Sequence, residues 1–256
     1  MKLTIVGCSG TMPGADGPAS SYLLEASGFR LLVDCGNGAS GAMQRHVGLL
    51  DLDAVLITHV HADHCLDLVV YSYARRYGPG NPKPIPVYGP QGLQERLLQA
   101  FDVAPADRLE GVYEFRTLRQ GRRTIGPFAI DLAPMNHPVE TYGLRIMADG
   151  ASLAYSADTG ECPALVDLAR NADLLLCEAA FKHGAPGNVA GLHLTGRQAG
   201  EHATRAHAKR LVLTHIPPWI DRDEMLAEAT ATFRGPVELA RAGATYDLWV
   251  GSSDIP

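Results

Sequence analysis

Residues 54–68, AVLITHVHADHCLDL, constrain the fold of this chain more than any other stretch. A short apolar run comes first, and four side chains that can bind a metal follow within six residues: His59, His61, Asp63 and His64. Crowded histidines and carboxylates need compensation, which a metal ion usually supplies. In an extended H-x-H segment, alternate side chains fall on one side, so His59 and His61 can hold one ion while Asp63 and His64 turn towards a second. The motif predicts metal ligands at the carboxyl end of a strand.

The rest of the sequence contains short apolar runs and helical patterns. Ten runs bounded by Gly, Pro or Asp predict strands; they are KLTIVG, SYLLEA, FRLLVDCG, DAVLITH, IPVYGP, FAIDLAP, YGLRIMA, ASLAYSAD, DLLLCEA and RLVLTH. Helices are predicted over 63–76, 91–101, 163–170, 195–208 and 223–233. Early strands follow one another and later ones alternate with helices, so we predict an α/β fold with helices on the outer faces of the sheets. With 256 residues, 46% of them hydrophobic, we expect a single domain spanning 1–256.

One loop cannot complete two metal sites, so further ligands must come from other strand ends. His137 follows the run FAIDLAP, Asp158 ends the run ASLAYSAD, and His215 ends the run RLVLTH. Each is a metal-ligand residue type at the end of a predicted strand. We therefore expect these three side chains to join the H-x-H-x-D-H loop.

This order of residues, H-x-H-x-D-H followed by single His, Asp and His, resembles the metallo-β-lactamase superfamily over nearly the whole chain. The resemblance implies an αββα sandwich, in which two mixed β-sheets pack together with helices on their outer faces. It also implies a centre of two divalent ions, with His59, His61 and His137 on one ion, Asp63, His64 and His215 on the other, and Asp158 bridging them. Zinc is the expected metal because the ligands are mostly imidazole, and manganese or iron would be tolerated.

Asp34, in LLVDCG, matches the position that supports the metal loop in this superfamily. A carboxylate there would orient a ligating histidine through a hydrogen bond. The alternative interpretation is an ordinary turn residue at the start of a loop.

The segments DLLLCEAAF and GLHLTGRQAGEHA resemble the tRNA 3′-processing group, ribonuclease Z, and its phosphodiesterase relatives. The resemblance implies that Glu178 and His193 relay a proton to the leaving group. A carboxylate that orients an imidazole raises its basicity and keeps it available as a general acid. Asp63 is expected to orient a hydroxide that forms between the two ions near neutral pH. The alternative is a strand-end surface carboxylate and a histidine that merely neighbours a helix N-cap.

Two features bear on the substrate. Bacterial-type ribonuclease Z carries a flexible tRNA-gripping arm between the equivalents of His137 and Asp158, whereas only 20 residues separate them here. A net charge of −6 and a pI near 5.9 also argue against a broad nucleic-acid-binding surface.

The chain also resembles the actinobacterial cyclic-nucleotide phosphodiesterases of this superfamily, in the segments VGCSGTMPGADGPASSYLL, HVHADHCLDL, SLAYSADTGEC, LHLTG and VLTHIPPW. We expect hydrolysis of a small phosphodiester, 3′,5′-cyclic AMP to 5′-AMP, with tRNA processing as the alternative.

Substrate contacts and other classes of function stay open at this point. Trp219 either stacks on a purine or packs in its loop, and the helix over 71–77 either rims the site or is an ordinary amphipathic helix. The same metals would also serve thioester or lactam hydrolysis. A non-catalytic metal-binding protein is hard to reconcile with seven ligand positions plus Glu178 and His193.

The remaining features are less specific. The first apolar run is too short for a signal peptide and no stretch reaches the length of a membrane span, so we expect a cytoplasmic protein with no membrane partner, which would form a homodimer or act alone. The odd number of cysteines, without a C-x-x-C pair, predicts buried, reduced thiols; they are Cys8, Cys35, Cys65, Cys162 and Cys177. His202 and His207, five residues apart on a predicted helix, are expected at the surface, and His46 and His183 are unassigned.

Overall fold

The structure is a computed structural model that describes residues 1–80, 82–101 and 109–248. Two mixed sheets form its centre. The first sheet contains, in spatial order, β14 (Thr245–Asp247), β1 (Lys2–Gly7), β2 (Ser21–Ala26), β3 (Phe29–Val33), β4 (Ala54–Leu56), β5 (Ile85–Gly89) and β6 (Tyr113–Thr117). The second contains β13 (Val237–Leu239), β12 (Leu211–Thr214), β11 (Leu174–Glu178), β10 (Ala151–Tyr155), β9 (Tyr142–Ala148), β8 (Phe128–Pro134) and β7 (Gly121–Ile125).

Helices cover the outer face of each sheet. The first sheet carries α1 (Ala39–Ala42), a 3₁₀ turn (Met43–Arg45), α2 (Ala62–Cys65), α3 (Asp67–Tyr77) and α4 (Leu93–Leu98). The second carries α5 (Pro163–Ala169), α6 (Gly196–Ala206) and α7 (Arg222–Thr230). The predicted αββα metallo-β-lactamase sandwich is therefore confirmed. No described helix has the length and apolar character that a membrane span requires.

Strand alternation explains the layering. On β11, Leu174 and Leu176 belong to the core between the sheets, while Leu175 and Cys177 pack beneath the helices of the second sheet. Both faces of this strand are buried, so it reads in sequence as a continuous apolar run. The pattern holds the two sheets together on one side and anchors a helical layer on the other.

Parallel pairing gathers the functional positions. In the first sheet β3 to β6 are parallel, and in the second β10 to β13 are parallel. The segments that follow β4, β10 and β12 begin with or soon reach His59, Asp158 and His215. Glu178 is the last residue of β11. The carboxyl ends of parallel strands thus deliver these side chains to one edge of the sandwich.

The helix expected over 63–76 is present as two helices, α2 and α3, which meet at Leu66. One prediction about local structure is wrong. His202, expected at the surface, is fully buried, because it shares the inward face of α6 with Ala199 and Ala206. Of the two histidines expected there, His207 alone is exposed. The five cysteines are buried and unpaired, as predicted.

Candidate metal centre

Asp158 lies at the middle of the predicted ligand set. Its Oδ2 is 3.6 Å from Nε2 of His59 and 3.4 Å from Nε2 of His215. Its Oδ1 is 3.2 Å from Nε2 of His64, and Nε2 of His137 is 4.0 Å from Oδ2. A carboxylate with imidazole nitrogens on both sides would suit a ligand shared between two ions.

The candidate ligand atoms fall into two main groups. Asp158 belongs to the first and lies beside His64 and His215 of the second. It also forms a smaller group with His193 and His215. One group contains His59, His61, His137 and Asp158, with all four ligand atoms within 4.8 Å of one another. His61 presents Nδ1 to the group, 3.1 Å from Nε2 of His137. Three imidazoles and one carboxylate suit a tetrahedral or five-coordinate divalent ion.

The second group contains Asp63, His64 and His215, again within 4.8 Å. Oδ2 of Asp63 lies 3.6 Å from Nε2 of His64 and 3.7 Å from Nε2 of His215. The same oxygen accepts a hydrogen bond of 2.9 Å from the backbone N–H of Thr11. The bond fixes the direction of the carboxylate towards the two imidazoles.

The far side of four of the five candidate ligand rings is anchored, which frees the other nitrogen for a metal. Nδ1 of His64 and of His137 donate to Asp34 Oδ2 at 2.8 Å and to the Leu192 carbonyl at 3.0 Å. Nδ1 of His59 and of His215 pair with hydroxyls at 3.1 Å and 2.9 Å; these belong to Thr58 and Ser20. Such partners select the tautomer and orientation of a ligating histidine.

Three buried polar atoms at the centre lack a hydrogen bond within the described chain. They are Nε2 of His59, Nε2 of His64 and Oδ1 of Asp158. A buried polar atom without a partner carries a substantial free-energy cost. Because all three belong to the candidate ligand set, cations bound by the two groups would satisfy them. The donor set fits divalent metal binding.

The charges of three ligand histidines and of Asp158 are consistent with this role. Burial lowers the pKa of His137 and of His215 to about 4 and also lowers the pKa of His61, so these rings are neutral near pH 7. Burial alone would raise the pKa of Asp158, but the imidazoles of His215 and His64 hold it well below its usual range. Neutral imidazole and ionised carboxylate are the forms that ligate a metal.

Asp34 occupies the supporting position predicted for it and is not itself among the ligand atoms. It is completely buried, with a left-handed backbone (φ 57°). Besides His64, it accepts hydrogen bonds from the N–H and hydroxyl of Thr58, at 2.8 and 3.0 Å, and from the Tyr155 hydroxyl at 3.0 Å. Burial alone would lower the pKa of His64, but the carboxylates of Asp158 and Asp34 outweigh it and raise that pKa.

Glu178 and His193 form a pair beside the ligands. Oε1 of Glu178 is 2.9 Å from Nδ1 of His193 and also accepts the N–H of Thr159 at 2.7 Å. The His193 ring lies 5.5 Å from the His137 ring and 5.7 Å from the His215 ring, centroid to centroid. Burial alone would lower the pKa of His193, but the Glu178 carboxylate more than offsets this effect and raises the pKa to about 9. Glu178 therefore stabilises the protonated form of an imidazole that lies next to the candidate metal ligands.

Several residues of the centre were not anticipated from the sequence. They are Thr11, Ser20, Thr58 and Tyr155, which hydrogen-bond to ligands or to Asp34. Thr58 and Tyr155 carried one signal, because each is a polar group at the end of an otherwise apolar run. Thr11 acts through its backbone N–H, so its position carried no signal in the sequence.

The predicted substrate contacts lie outside the ligand groups. Trp219 is 63% exposed, in the loop after β12. On α3, Tyr71 is buried and donates to the Leu49 carbonyl, and Arg75 is buried and donates to the Lys83 carbonyl. This is the pattern of an amphipathic helix that packs against its own sheet.

Comparison with known proteins agrees with this geometry. A family model described as a beta-lactamase superfamily domain matches residues 29–216. The chain belongs to the metallo-β-lactamase superfamily. It is 31% identical to the probable metallo-hydrolase YhfI of Bacillus subtilis, over 96% of this chain and all of that protein. The crystal structure of YhfI superimposes with a TM-score of 0.86, covering 96% of this chain and 98% of that one.

Two further relatives of this metallo-hydrolase are informative. An uncharacterized protein of Mycobacterium leprae is 42% identical over 97% of this chain and 89% of its own length. A ribonuclease Z of Myxococcus xanthus is 28% identical over 97% of this chain and 98% of its own. Metallo-hydrolases of this fold are therefore related to the chain along nearly its whole length.

Proposed function

We propose that this metallo-hydrolase is a binuclear phosphodiesterase that cleaves a small phosphodiester, with 3′,5′-cyclic AMP as substrate and 5′-AMP as product. The observation that carries the proposal is the Glu178–His193 pair, 2.9 Å apart and next to both ligand groups. A sugar alkoxide leaves phosphorus poorly unless it receives a proton. His193, held protonated by Glu178, is placed to provide one.

The chain's own residues would divide the work as follows. Seven side chains would hold two ions, zinc by the preference of imidazole ligands: His59, His61, Asp63, His64, His137, Asp158 and His215. When bound, the ions would polarise the phosphoryl oxygens and lower the pKa of water. Asp63, fixed by the Thr11 N–H, would accept a proton from the attacking water and orient it. His193 would donate its proton to the departing sugar oxygen.

The size of the site favours a small substrate. The segment between His137 and Asp158 consists of β9, β10 and a turn at Asp149–Gly150, and its strands pair tightly from Ala148–Ala151 onward. It contains no arm of the kind that the resemblance places there in ribonuclease Z. The net charge of −6 also gives little of the counterion release on which RNA affinity depends.

A second candidate is endonucleolytic tRNA processing, because ribonuclease Z is among the relatives that span the chain. A third is thioester or lactam hydrolysis. The Glu178–His193 pair argues against a thioester substrate, because a thiolate departs without a proton and gives the pair little to do. A lactam nitrogen needs a proton as a sugar alkoxide does, so the lactam is separated from the phosphodiester by the turnover screen.

The decisive experiment is a turnover screen of metal-loaded protein. The substrates are 3′,5′-cyclic AMP, 2′,3′-cyclic nucleotides, bis(p-nitrophenyl) phosphate, a precursor tRNA, lactoylglutathione and a chromogenic cephalosporin. The control for His193→Ala is His207→Ala, at the exposed histidine that follows the last residue of α6. We expect cyclic AMP hydrolysis in the wild type and His207→Ala, and its loss in His193→Ala. Efficient cleavage of precursor tRNA with inert cyclic nucleotides would replace this proposal with the ribonuclease.

A further inference from the structure

Two buried tyrosines meet between the sheets. Tyr22 of β2 and Tyr155 of β10 are each 1% exposed, and both belong to the core between the two sheets. Their rings are in edge-to-face contact, with centroids 4.8 Å apart. A buried tyrosine needs a hydrogen-bond partner for its hydroxyl. Each of these hydroxyls finds one on the opposite sheet, next to a residue of the metal centre.

Tyr155 reaches from the second sheet to the first. Its hydroxyl donates at 3.0 Å to Oδ2 of Asp34, the residue that follows β3. The same oxygen accepts a hydrogen bond of 2.8 Å from Nδ1 of His64. Thr58 also contacts this carboxylate, but it lies after β4, on the same sheet as Asp34. Tyr155 therefore fixes Asp34, and through it His64, relative to the second sheet.

Tyr22 reaches in the opposite direction. Its hydroxyl lies 2.7 Å from Oγ1 of Thr214, the last residue of β12. Ser20, two residues earlier in the chain than Tyr22, places its Oγ 2.9 Å from Nδ1 of His215. The segment at the start of β2 thus holds two consecutive residues at the end of β12. Tyr22 and Ser20 together fix His215 relative to the first sheet.

These contacts join the two halves of the second ligand group. His64 stands on α2, after β4 of the first sheet, whereas His215 follows β12 of the second sheet. Their rings nevertheless lie 5.0 Å apart, centroid to centroid. Because only three side chains make up this group, the separation of these two decides whether an ion fits. The first group is anchored elsewhere, at the Thr58 hydroxyl and the Leu192 carbonyl.

We propose that Tyr22 and Tyr155 are positioning residues, a cross-sheet pair whose hydroxyls hold His215 and His64 at the separation that an ion in the second ligand group requires. The inference rests on the proposed binuclear function and deepens it, because it assigns the affinity for one of the two ions to residues that are not ligands themselves. Loss of either hydroxyl weakens binding in the second group and leaves the first group intact. Tyrosines that served only the packing of the core would show no such difference between the groups.

Zinc titration of chains that keep one ligand group separates the two ions. In the first background, His61→Ala and His137→Ala remove two ligands of the first group. In the second background, Asp63→Ala and His64→Ala remove two ligands of the second group. Competition with a chromogenic chelator then gives a Kd for the group that remains.

Tyr22→Phe and Tyr155→Phe are introduced into each background. Phenylalanine keeps the ring and its packing and removes only the hydroxyl. Where the second group remains, we expect each change to raise the zinc Kd about 3- to 10-fold, the effect of one hydrogen bond. Where the first group remains, the Kd should be unchanged. Tyr71→Phe is the matched control, because Tyr71 is also buried and its hydroxyl donates to the Leu49 carbonyl; it should leave the Kd unchanged in both backgrounds.

Phosphodiester turnover separates failure of the pair from failure of the function. An equal loss of zinc affinity in both backgrounds, no loss in either, or a loss as large in Tyr71→Phe would overturn the pair. If zinc-loaded wild type cleaves neither cyclic AMP nor bis(p-nitrophenyl) phosphate while the selective loss is observed, the proposed function fails and the pair stands. If these substrates are cleaved and the selective loss is absent, the pair fails and the function stands.

Discussion

Asp34 provides the sharpest test of the metal centre, because its carboxylate controls a ligand without being one. In Asp34→Asn one oxygen becomes an NH₂ group. If that group replaces Oδ2, it faces Nδ1 of His64, whose proton points at Oδ2 in the wild type, so two N–H donors would meet. His64 can relieve this conflict only by moving its proton to Nε2, the atom that faces Asp158 and the ligand cluster.

The opposite amide orientation fails too. The NH₂ group would then face the N–H of Thr58, which lies 2.8 Å from Oδ1, and two buried donors would meet. Loss of a partner that orients a metal-binding histidine typically lowers metal affinity 10- to 100-fold, about 1.4–2.8 kcal/mol. We expect a loss in this range for Asp34→Asn.

The assay is competition between metal-free protein and a chromogenic chelator for zinc. Asp67→Asn is the matched control: Asp67 is also buried and accepts two backbone N–H groups, those of Gly38 and Ser40, but contacts no ligand. We expect Asp67→Asn to lower the free energy of unfolding by about 1–3 kcal/mol and to bind zinc as the wild type does. Unchanged zinc affinity in Asp34→Asn, or an equal loss in both variants, would refute the reasoning.

Three further predictions follow from the same geometry. Plasma mass spectrometry after zinc loading and desalting should find two ions per chain; a single ion would contradict the shared role of Asp158. His193→Ala should lower kcat about 10²- to 10⁴-fold for a ribose leaving group but little for p-nitrophenolate, which departs without a proton; equal losses would make His193 a structural residue. Burial lowers the pKa of His202, whose Nε2 accepts the Cys162 N–H. As the pH falls, this imidazole is therefore protonated at a higher pH in the unfolded chain than in the folded one. The free energy of unfolding should therefore fall as the pH drops below about 6.5, with a smaller slope in His202→Gln than in the wild type or His207→Gln, as urea titrations would measure.

The sequence predicted the interior of both sheets but missed their edges. All ten apolar runs are strands, because a strand buried on both faces must be apolar along its length. The four strands that were missed are β6, β7, β13 and β14, and each lies at the edge of a sheet. Edge strands are short or carry charged residues, as in GRRTI of β7, which prevents pairing with other chains. The same property removes the periodicity on which prediction from sequence relies.

His202 shows a different limit. A five-residue separation from His207 predicts that the two rings do not share a helix face, but it does not say which face packs against the sheet. In the structure α6 ends at Ala206, and His207 follows it as the C-cap. The small residues Ala199, Ala203 and Ala206 make the buried side. With a hydrogen bond at each nitrogen, His202 fits among them as a neutral ring. Burial of a polar side chain depends on partners that come from elsewhere in the chain.

The candidate metal ligands were predictable because they lie in the loops and the short helix that follow strands, whereas the backbone that aims them was not. Left-handed conformations are uncommon outside glycine and cost about 1 kcal/mol or more. Four non-glycine residues adopt them at the centre: Thr11, Asp34, Ala157 and His215, with φ of 66°, 57°, 50° and 54°. At Asp34 and His215 glycine cannot replace the residue, since the side chain itself holds or forms a ligand. The strain there is the consequence of placing a functional side chain where the turn would otherwise favour glycine, and only the packed sandwich can impose it.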